Sequence, residues 1–440
     1  MRIIEDILQS QSVQYRNNIA IQFGNDNISY SDLWVKVNKA ANVLSQLGNI
    51  HRVPQIVNMA NGIDSLIEYF AVHIAGGVCV PIDHTIPVKK IKEYDNLSLG
   101  VPFPEDAADI LFTSGTTSER KGVIISHTAL ISNMENLLYA HPYCEEMSFI
   151  ICGSLSHLGC LSKIFPTLYT GGKLIILQDI KNIGELLMTI DKEQSSLATF
   201  LVPTNIRLIL ALGRKLILKN ADKIRFIETG AAACTQHDIR ELCSLLPNTK
   251  LFNTYASTET GIISTHNFNS EKCIPGCTGK ALPHSSFEIS KRGNISCKGQ
   301  TLMIGYLNNN KSGKEALKVF ETSDNGYIDE EGMLMITGRN DDVINIGGYK
   351  IHPTEVENYV MLFHGIHDCI CISIPNTLLG NSLKLLYVSS DGSDINVKDL
   401  VVFLTTELEP YKIPTAFEKV SNIKRTENGK PNRKFYKERL

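Results

Sequence analysis

The strongest constraint on the fold is a rhythm: short apolar runs, each about one strand long, recur with helix-length segments between them. The runs fall at residues 56–59, 78–82, 110–112, 123–125, 149–152, 174–177, 200–202, 224–227 and 251–252. Several are apolar throughout, as strands covered on both faces require. Ser31 and Asp32 open a segment with apolar residues at Leu33, Val37, Ala40, Ala41, Leu44 and Leu47, closed by Gly48. That spacing, with a start and a stop signal, predicts an amphipathic helix. Alternation on this scale predicts an α/β fold with parallel sheets and right-handed crossovers.

From about residue 262 to 338 the character changes. Gly, Asn and Ser become frequent and helical periodicity fades, which predicts a β-rich subdomain. The last hundred residues read as a small α+β unit, with a helix from Pro353 to about Leu362 and strands around 369–374 and 383–389. The expected organisation is a large N-terminal domain over 1–340 and a small C-terminal domain over 341–440. With 440 residues there is ample chain for two such cores.

Forty-three Lys and Arg against forty-six Asp and Glu leave a net charge of −3. That balance argues against a nucleic-acid partner, which selects clearly basic surfaces. The charged start, Arg2 to Asp6, does not resemble a secretory signal, and no run reaches the ~18–20 apolar residues of a membrane span. Eleven scattered cysteines are read as free thiols, and the expected location is the cytoplasm.

The densest local signal is Ile110-Leu111-Phe112-Thr113-Ser114-Gly115-Thr116-Thr117-Ser118-Glu119-Arg120-Lys121-Gly122. A strand delivers a loop of hydroxyls, a glycine and an ammonium, then another strand follows. Convergent donors with a counter-charge suit a polyphosphate. The loop is not a Walker A motif, because Arg120 stands where its second glycine belongs and Gly122 follows Lys121. Nor is Ser114 a nucleophile elbow, since Phe112 replaces the leading glycine.

This loop resembles the phosphate loop of the adenylate-forming superfamily, which includes acyl- and aryl-CoA synthetases, peptide-synthetase adenylation domains and luciferases. Ser118 and Arg120 depart from the family's Gly and Pro. Five further motifs follow in order. Thr229-Gly230-Ala231-Ala232-Ala233 resembles the small-residue turn that admits adenine. Asn253-Thr254-Tyr255-Ala256-Ser257-Thr258-Glu259 resembles Y-G-x-T-E. Asp324 stands at the ribose-binding aspartate, Gly338-Arg339-Asn340-Asp341 resembles G-R-x-D, and Asn428-Gly429-Lys430-Pro431-Asn432-Arg433 resembles N-G-K-x-x-R. Taken singly, Thr258-Glu259 reads also as a helix start, Asp324-Asn325-Gly326 as a turn and Asn428-Gly429-Lys430 as a hairpin tip.

The resemblance implies ATP and Mg²⁺ as ligands. Thr113, Ser114, Gly115, Thr116, Thr117 and Lys121 would hold phosphates. Gly230, Ala231, Thr254 and Tyr255 would surround the adenine, and Asp324 and Arg339 the ribose. Thr258 would touch phosphate, Glu259 would hold the metal ion, and Lys430 would bridge the acid and the α-phosphate. Asp341 would be the hinge that exchanges Lys430 for the Gly347-Gly348 face, where a pantetheine arm enters. His157 would line the carboxylate end of the acid pocket. Leu158 stands where α-amino-acid-activating members carry an Asp, so a simple carboxylic, aryl or fatty acid is expected.

The implied activity is AMP-forming ligation of an acid to a thiol, most simply coenzyme A. A carrier protein bearing phosphopantetheine is the alternative acceptor. A different class, a nucleotide-binding regulatory protein without catalysis, is suggested by Ser118, Arg120 and Ala256. The chain is short for the family, and the deficit is expected as a missing sheet element near residues 90–105.

Overall fold

The computed structural model describes residues 4–48, 50–60, 62–83, 103–113, 121–178, 182–232, 234–269, 274–307, 317–390, 392–425 and 431–437. A thirteen-stranded sheet forms its backbone. Parallel strands occupy its middle, in the spatial order Lys250–Ser257, Ile224–Thr229, Ser196–Leu201, Met147–Ile151, Lys173–Ile176 and Ile19–Phe23. The short strand Asp26–Ser29 closes one edge antiparallel. Beyond Lys250–Ser257 the direction alternates, through Gly261–Asn267, Cys277–Ala281, Leu334–Arg339, Phe320–Ile328, Asn294–Gly299 and Ser285–Ile289. The β-rich stretch expected over 262–338 is therefore strands, but all except Gly305–Tyr306 continue the central sheet. Cys277–Ala281 makes the join, pairing on one side with Gly261–Asn267 and on the other with Leu334–Arg339.

A second sheet holds Pro54–Asn58, Val78–Ile82 and Ala107–Thr113 in parallel, then Lys121–Ser126 and Gly305–Tyr306 antiparallel. Here the reading of one helix-length segment after every strand fails. Ala107–Thr113 and Lys121–Ser126 pair directly, with Thr113 opposite Lys121. Only seven residues separate them, whereas a parallel crossover needs about a dozen.

Helices fill the space between the sheets. The predicted helix after Ser29 runs Tyr30–Leu47, and the Ser29 hydroxyl caps it by accepting from the Asp32 N–H. Its Leu33 and Val37 join Leu66 and Phe70 of Ile63–Ile74 and Leu130 and Met134 of His127–Ala140 in one core cluster. That cluster reaches Phe149 and Leu174 in the large sheet and Leu111 and Val123 in the second. Burying both faces explains the uninterrupted apolar runs.

The C-terminal elements are a hairpin, Ile344–Ile346 with Tyr349–Ile351, and a three-stranded sheet of Ile366–Asn376, Gly380–Ser389 and Ala416–Lys419. Helices Pro353–Val360 and Val397–Glu407 pack with them. Cys369 and Cys371 face one core while Ile370 and Ile372 face another, so Ile366–Asn376, an edge strand of this sheet, is covered on both faces. The ten described cysteines are all free. No helix among the described residues is long and apolar enough to cross a membrane. The missing sheet element expected near residues 90–105 falls mostly outside the described residues. Of its last part, Phe103 packs with Val78, Val80 and Ile110.

Candidate active site

In open α/β sheets, ligands collect beyond the carboxyl ends of the parallel strands. Three of four neighbouring strands here send motif residues to that end. Met147–Ile151 leads to His157, which precedes the short helix Leu158–Leu161. Ile224–Thr229 leads to Gly230 and Ala231, and Lys250–Ser257 contains Thr254 and Tyr255 and leads to Thr258 and Glu259. Ser196–Leu201 lies between, and its Phe200 ring fills the gap. A Cβ on Gly159 would stand 3.0 Å from that ring, and one on Gly230 3.6 Å away.

The turn after Thr229 is tight. A Cβ on Gly230 would meet the Thr254 carbonyl oxygen at 2.9 Å, so only glycine lets the two strands approach so closely. Ala231 has φ 65°, in the left-handed region that costs an alanine about 1 kcal/mol or more. Strain of this kind persists only where its surroundings impose it.

One cluster forms around Asp324. It lies on Phe320–Ile328 directly opposite Arg339 on Leu334–Arg339. The Tyr255 hydroxyl donates to Asp324 Oδ2 at 2.8 Å, and Arg339 Nε stands 3.7 Å from Oδ1. Arg339 also donates to the Ser323 hydroxyl and lies 3.6 Å from Asp341. The Tyr255 phenol is pushed far up, first by burial and then by the Asp324 charge. It therefore stays a donor. Thr254 is turned away from this cluster, bonding Thr265 across the hairpin at 3.1 Å.

A second cluster brings Lys121 and the Thr258-Glu259 turn together. Gly305–Tyr306 pairs with Lys121–Ser126, and the Met303 N–H donates to the Glu259 carbonyl at 2.9 Å. This places the Tyr306 hydroxyl 3.1 Å from Glu259 Oε1, and Lys121 Nζ 5.2 Å from the centre of the same ring. Glu259 Oε2 has no hydrogen bond among the described residues. A carboxylate with one oxygen to spare suits a hard divalent cation such as Mg²⁺.

Other expected residues are less informative. Ser114, Gly115, Thr116, Thr117 and Lys430 lie outside the described residues. Gly347 and Gly348, at φ 55° and 90°, form the two-residue turn of their hairpin, as a type I′ turn demands. A Cβ on Gly348 would meet nothing within 4 Å, so that face is open.

Residues 8–98 and 91–307 match the AMP-binding enzyme profile, and residues 355–430 match the profile of its C-terminal domain. The chain belongs to the AMP-binding enzymes. It is thus an adenylate-forming enzyme of the superfamily that includes acyl-CoA ligases. The putative long chain fatty acid-CoA ligase VraA of Staphylococcus epidermidis is 26% identical, over 100% of this chain and 99% of its own. Feruloyl-CoA synthase of Amycolatopsis is 26% identical over 74% of this chain and 68% of its own. ATP-bound MatB from Rhodopseudomonas palustris shares the fold at a TM-score of 0.86 and 21% identity, covering 99% of this chain and 98% of MatB.

Three features of this AMP-binding enzyme escaped the sequence reading. Tyr306 has no spacing signal, because only the fold brings it beside Glu259. Arg433 belongs to a recognised motif, yet its partners are distant in sequence. It forks onto Glu357 at 2.8 and 2.6 Å, donates to the Cys371 carbonyl at 3.0 Å and lies 3.2 Å from Asp342. It thereby ties the tail that carries Lys430 to the residue after Asp341. Finally, Lys163 and Glu228 form a fully buried ion pair beneath Phe200, with Nζ 2.7 Å from the carboxylate oxygens and 5.3 Å from the ring centre. His141 lies 3.9 Å from Glu228, and burial holds its imidazole down at about 4.

Proposed function

We propose that this enzyme couples a carboxylic acid to a pantetheine thiol, most simply coenzyme A, through an acyl adenylate. The observation that carries the reading is the convergence of Lys121, Tyr306 and Glu259 on one side and Tyr255, Asp324 and Arg339 on the other. Both clusters are built by strand pairing around the carboxyl ends of the parallel strands.

A carboxylate is a poor acylating agent because its leaving oxygen is too basic. Its attack on the α-phosphate of ATP expels pyrophosphate and turns that oxygen into part of a good leaving group. Positioning and charge neutralisation dominate such a step. Lys121 and the hydroxyls of Thr113, Ser114, Thr116 and Thr117, with the Gly115 backbone, would hold the triphosphate. Thr258 would contact the α-phosphate, and Glu259 would hold Mg²⁺, which neutralises phosphate charge when bound. Asp324 would accept from the ribose hydroxyls, pre-oriented by Tyr255 and Arg339. Lys430 would bridge the attacking carboxylate and the α-phosphate.

The second step is attack by the thiol on the adenylate, releasing AMP. Residues 341–440 would turn about Asp341 as a mobile domain against residues 1–340, withdrawing Lys430 and presenting the open Gly347-Gly348 turn to the pantetheine arm. Arg433 would keep the Lys430 segment and Asp342 moving as one piece. The acid is a simple one. Leu158 is 7% exposed and packed in the core, and an ammonium group there would lack a counter-charge.

The test is acid-dependent ATP–pyrophosphate exchange with a panel of aliphatic and aryl acids, followed by an acceptor assay with coenzyme A or phosphopantetheinyl carrier protein. Exchange with one acid class and thioester formation with coenzyme A support the reading. Exchange with transfer only to the carrier moves the acceptor. Tight ATP binding with no exchange for any acid would point to a nucleotide-binding protein without catalysis.

A further inference from the structure

We infer that Tyr306 is a positioning residue that holds Glu259 and Lys121 ready for metal-bound ATP, an inference that rests on the nucleotide site proposed above. Two contacts of one side chain carry it. The hydroxyl donates to Glu259 Oε1 at 3.1 Å, and the ring face lies 5.2 Å from Lys121 Nζ. The first bond fixes which carboxylate oxygen stays open, and the second restrains a flexible ammonium beside it. Glu259 and Lys121 lie on different elements, and among the described side-chain contacts Tyr306 touches both.

The backbone supports the same reading. Tyr306 sits on a two-residue edge strand, held by pairing opposite Val123 and by the Leu307 N–H donating to the Gly122 carbonyl at 2.8 Å. The strand Lys121–Ser126, the Tyr306 segment and the Glu259 turn are thereby one hydrogen-bonded unit. With ATP bound, Lys121 would hold the triphosphate, and the hydroxyl bond to Oε1 would leave Oε2 as the oxygen to hold Mg²⁺.

The two contacts separate experimentally. Tyr306→Phe removes only the hydroxyl, and Tyr306→Leu removes hydroxyl and ring face. ATP binding to the full chain is measured by titration calorimetry with and without Mg²⁺. Tyr306→Phe should bind ATP alone as the wild type does but lose about ten-fold of the Mg²⁺ enhancement, the usual effect of removing a partner that orients a metal ligand. Tyr306→Leu should lose that enhancement and also weaken metal-free ATP binding by roughly two- to five-fold. Adding Tyr306→Phe to Glu259→Gln should cost nothing further in the Mg²⁺ enhancement, because the hydroxyl acts through that carboxylate.

An unchanged Mg²⁺ enhancement in Tyr306→Phe, or additive losses in the double variant, would overturn the inference. So would equal losses with and without Mg²⁺, which is what a structural role alone produces. A wild-type chain whose ATP binding ignores Mg²⁺ would instead count against the nucleotide site itself.

Discussion

Replacing Lys163 with Met should strand a carboxylate in the middle of the sheet. Glu228 and Lys163 are essentially inaccessible to solvent and 2.7 Å apart. At that distance and an effective dielectric of about 20, their attraction is about 6 kcal/mol. Each ion gives up several kcal/mol of hydration on burial, so the intact pair is close to break-even. Removing the ammonium leaves the hydration loss of Glu228 with only His141, 3.9 Å away, and the Thr254 hydroxyl to offset it. The expected cost is about 3–5 kcal/mol. Urea unfolding followed by the fluorescence of Trp34, the single tryptophan, which packs on the main core, reads it directly. The double variant Lys163→Met/Glu228→Gln should return to within about 1–2 kcal/mol of the wild type, because no charge is then buried alone.

The pH dependence has a definite sign. In the wild type, burial raises the Glu228 carboxyl, but Lys163 and then His141 outweigh it and hold it below its ordinary value of 4.5. Glu228 thus contributes stability above that value, lost as pH falls through its folded pKa. In Lys163→Met burial dominates and the folded pKa rises. The penalty is then fully present at neutral pH and fades as pH falls toward about 4.5. His141, freed from the Lys163 charge, takes up a proton more readily and works in the same direction. A loss under about 1 kcal/mol at pH 7, or a deficit that widens on acidification, would refute the reasoning.

Three further outcomes follow from the site. Tyr255→Phe removes the hydroxyl bond to Asp324, and should raise the KM for ATP about ten-fold with kcat little changed, as expected for one hydrogen bond to a charged group. Gly230→Ala drives a Cβ against the Thr254 carbonyl, so steady-state kinetics should show ATP saturation lost, and urea unfolding a stability loss of about 1–3 kcal/mol. Arg433→Gln loosens the Lys430 segment from Glu357 and Asp342. It should slow pyrophosphate exchange at least ten-fold while a synthetic acyl adenylate is still converted to thioester. Equal loss of both half-reactions would oppose that assignment.

Strand positions were legible because most of the nine apolar runs are buried on both faces, and burial on two faces leaves a local signature. The crossover between 110–112 and 123–125 was misread because apolar runs carry no direction. The ten residues between these runs, short of the dozen or so a parallel crossover needs, were the available clue. The continuity of the 262–338 strands with the main sheet was invisible for a related reason: Cys277–Ala281 pairs with Leu334–Arg339, more than fifty residues away. Motif residues such as Tyr255, Asp324 and Arg339 could be named in advance because their types and order match a family. Tyr306, Lys163, Glu228 and Arg433 act through partners that only the folded chain brings near, and no local spacing encodes that.

The central claim is that a carboxylate oxygen attacks the α-phosphate of ATP, and isotope tracing tests it most directly. The best acid from the exchange panel, labelled with ¹⁸O in both carboxylate oxygens, is turned over with ATP and coenzyme A, and the products are weighed by mass spectrometry. The account predicts one ¹⁸O in AMP and none in pyrophosphate. Label in inorganic phosphate with ADP as the second product, or AMP without label, would contradict it.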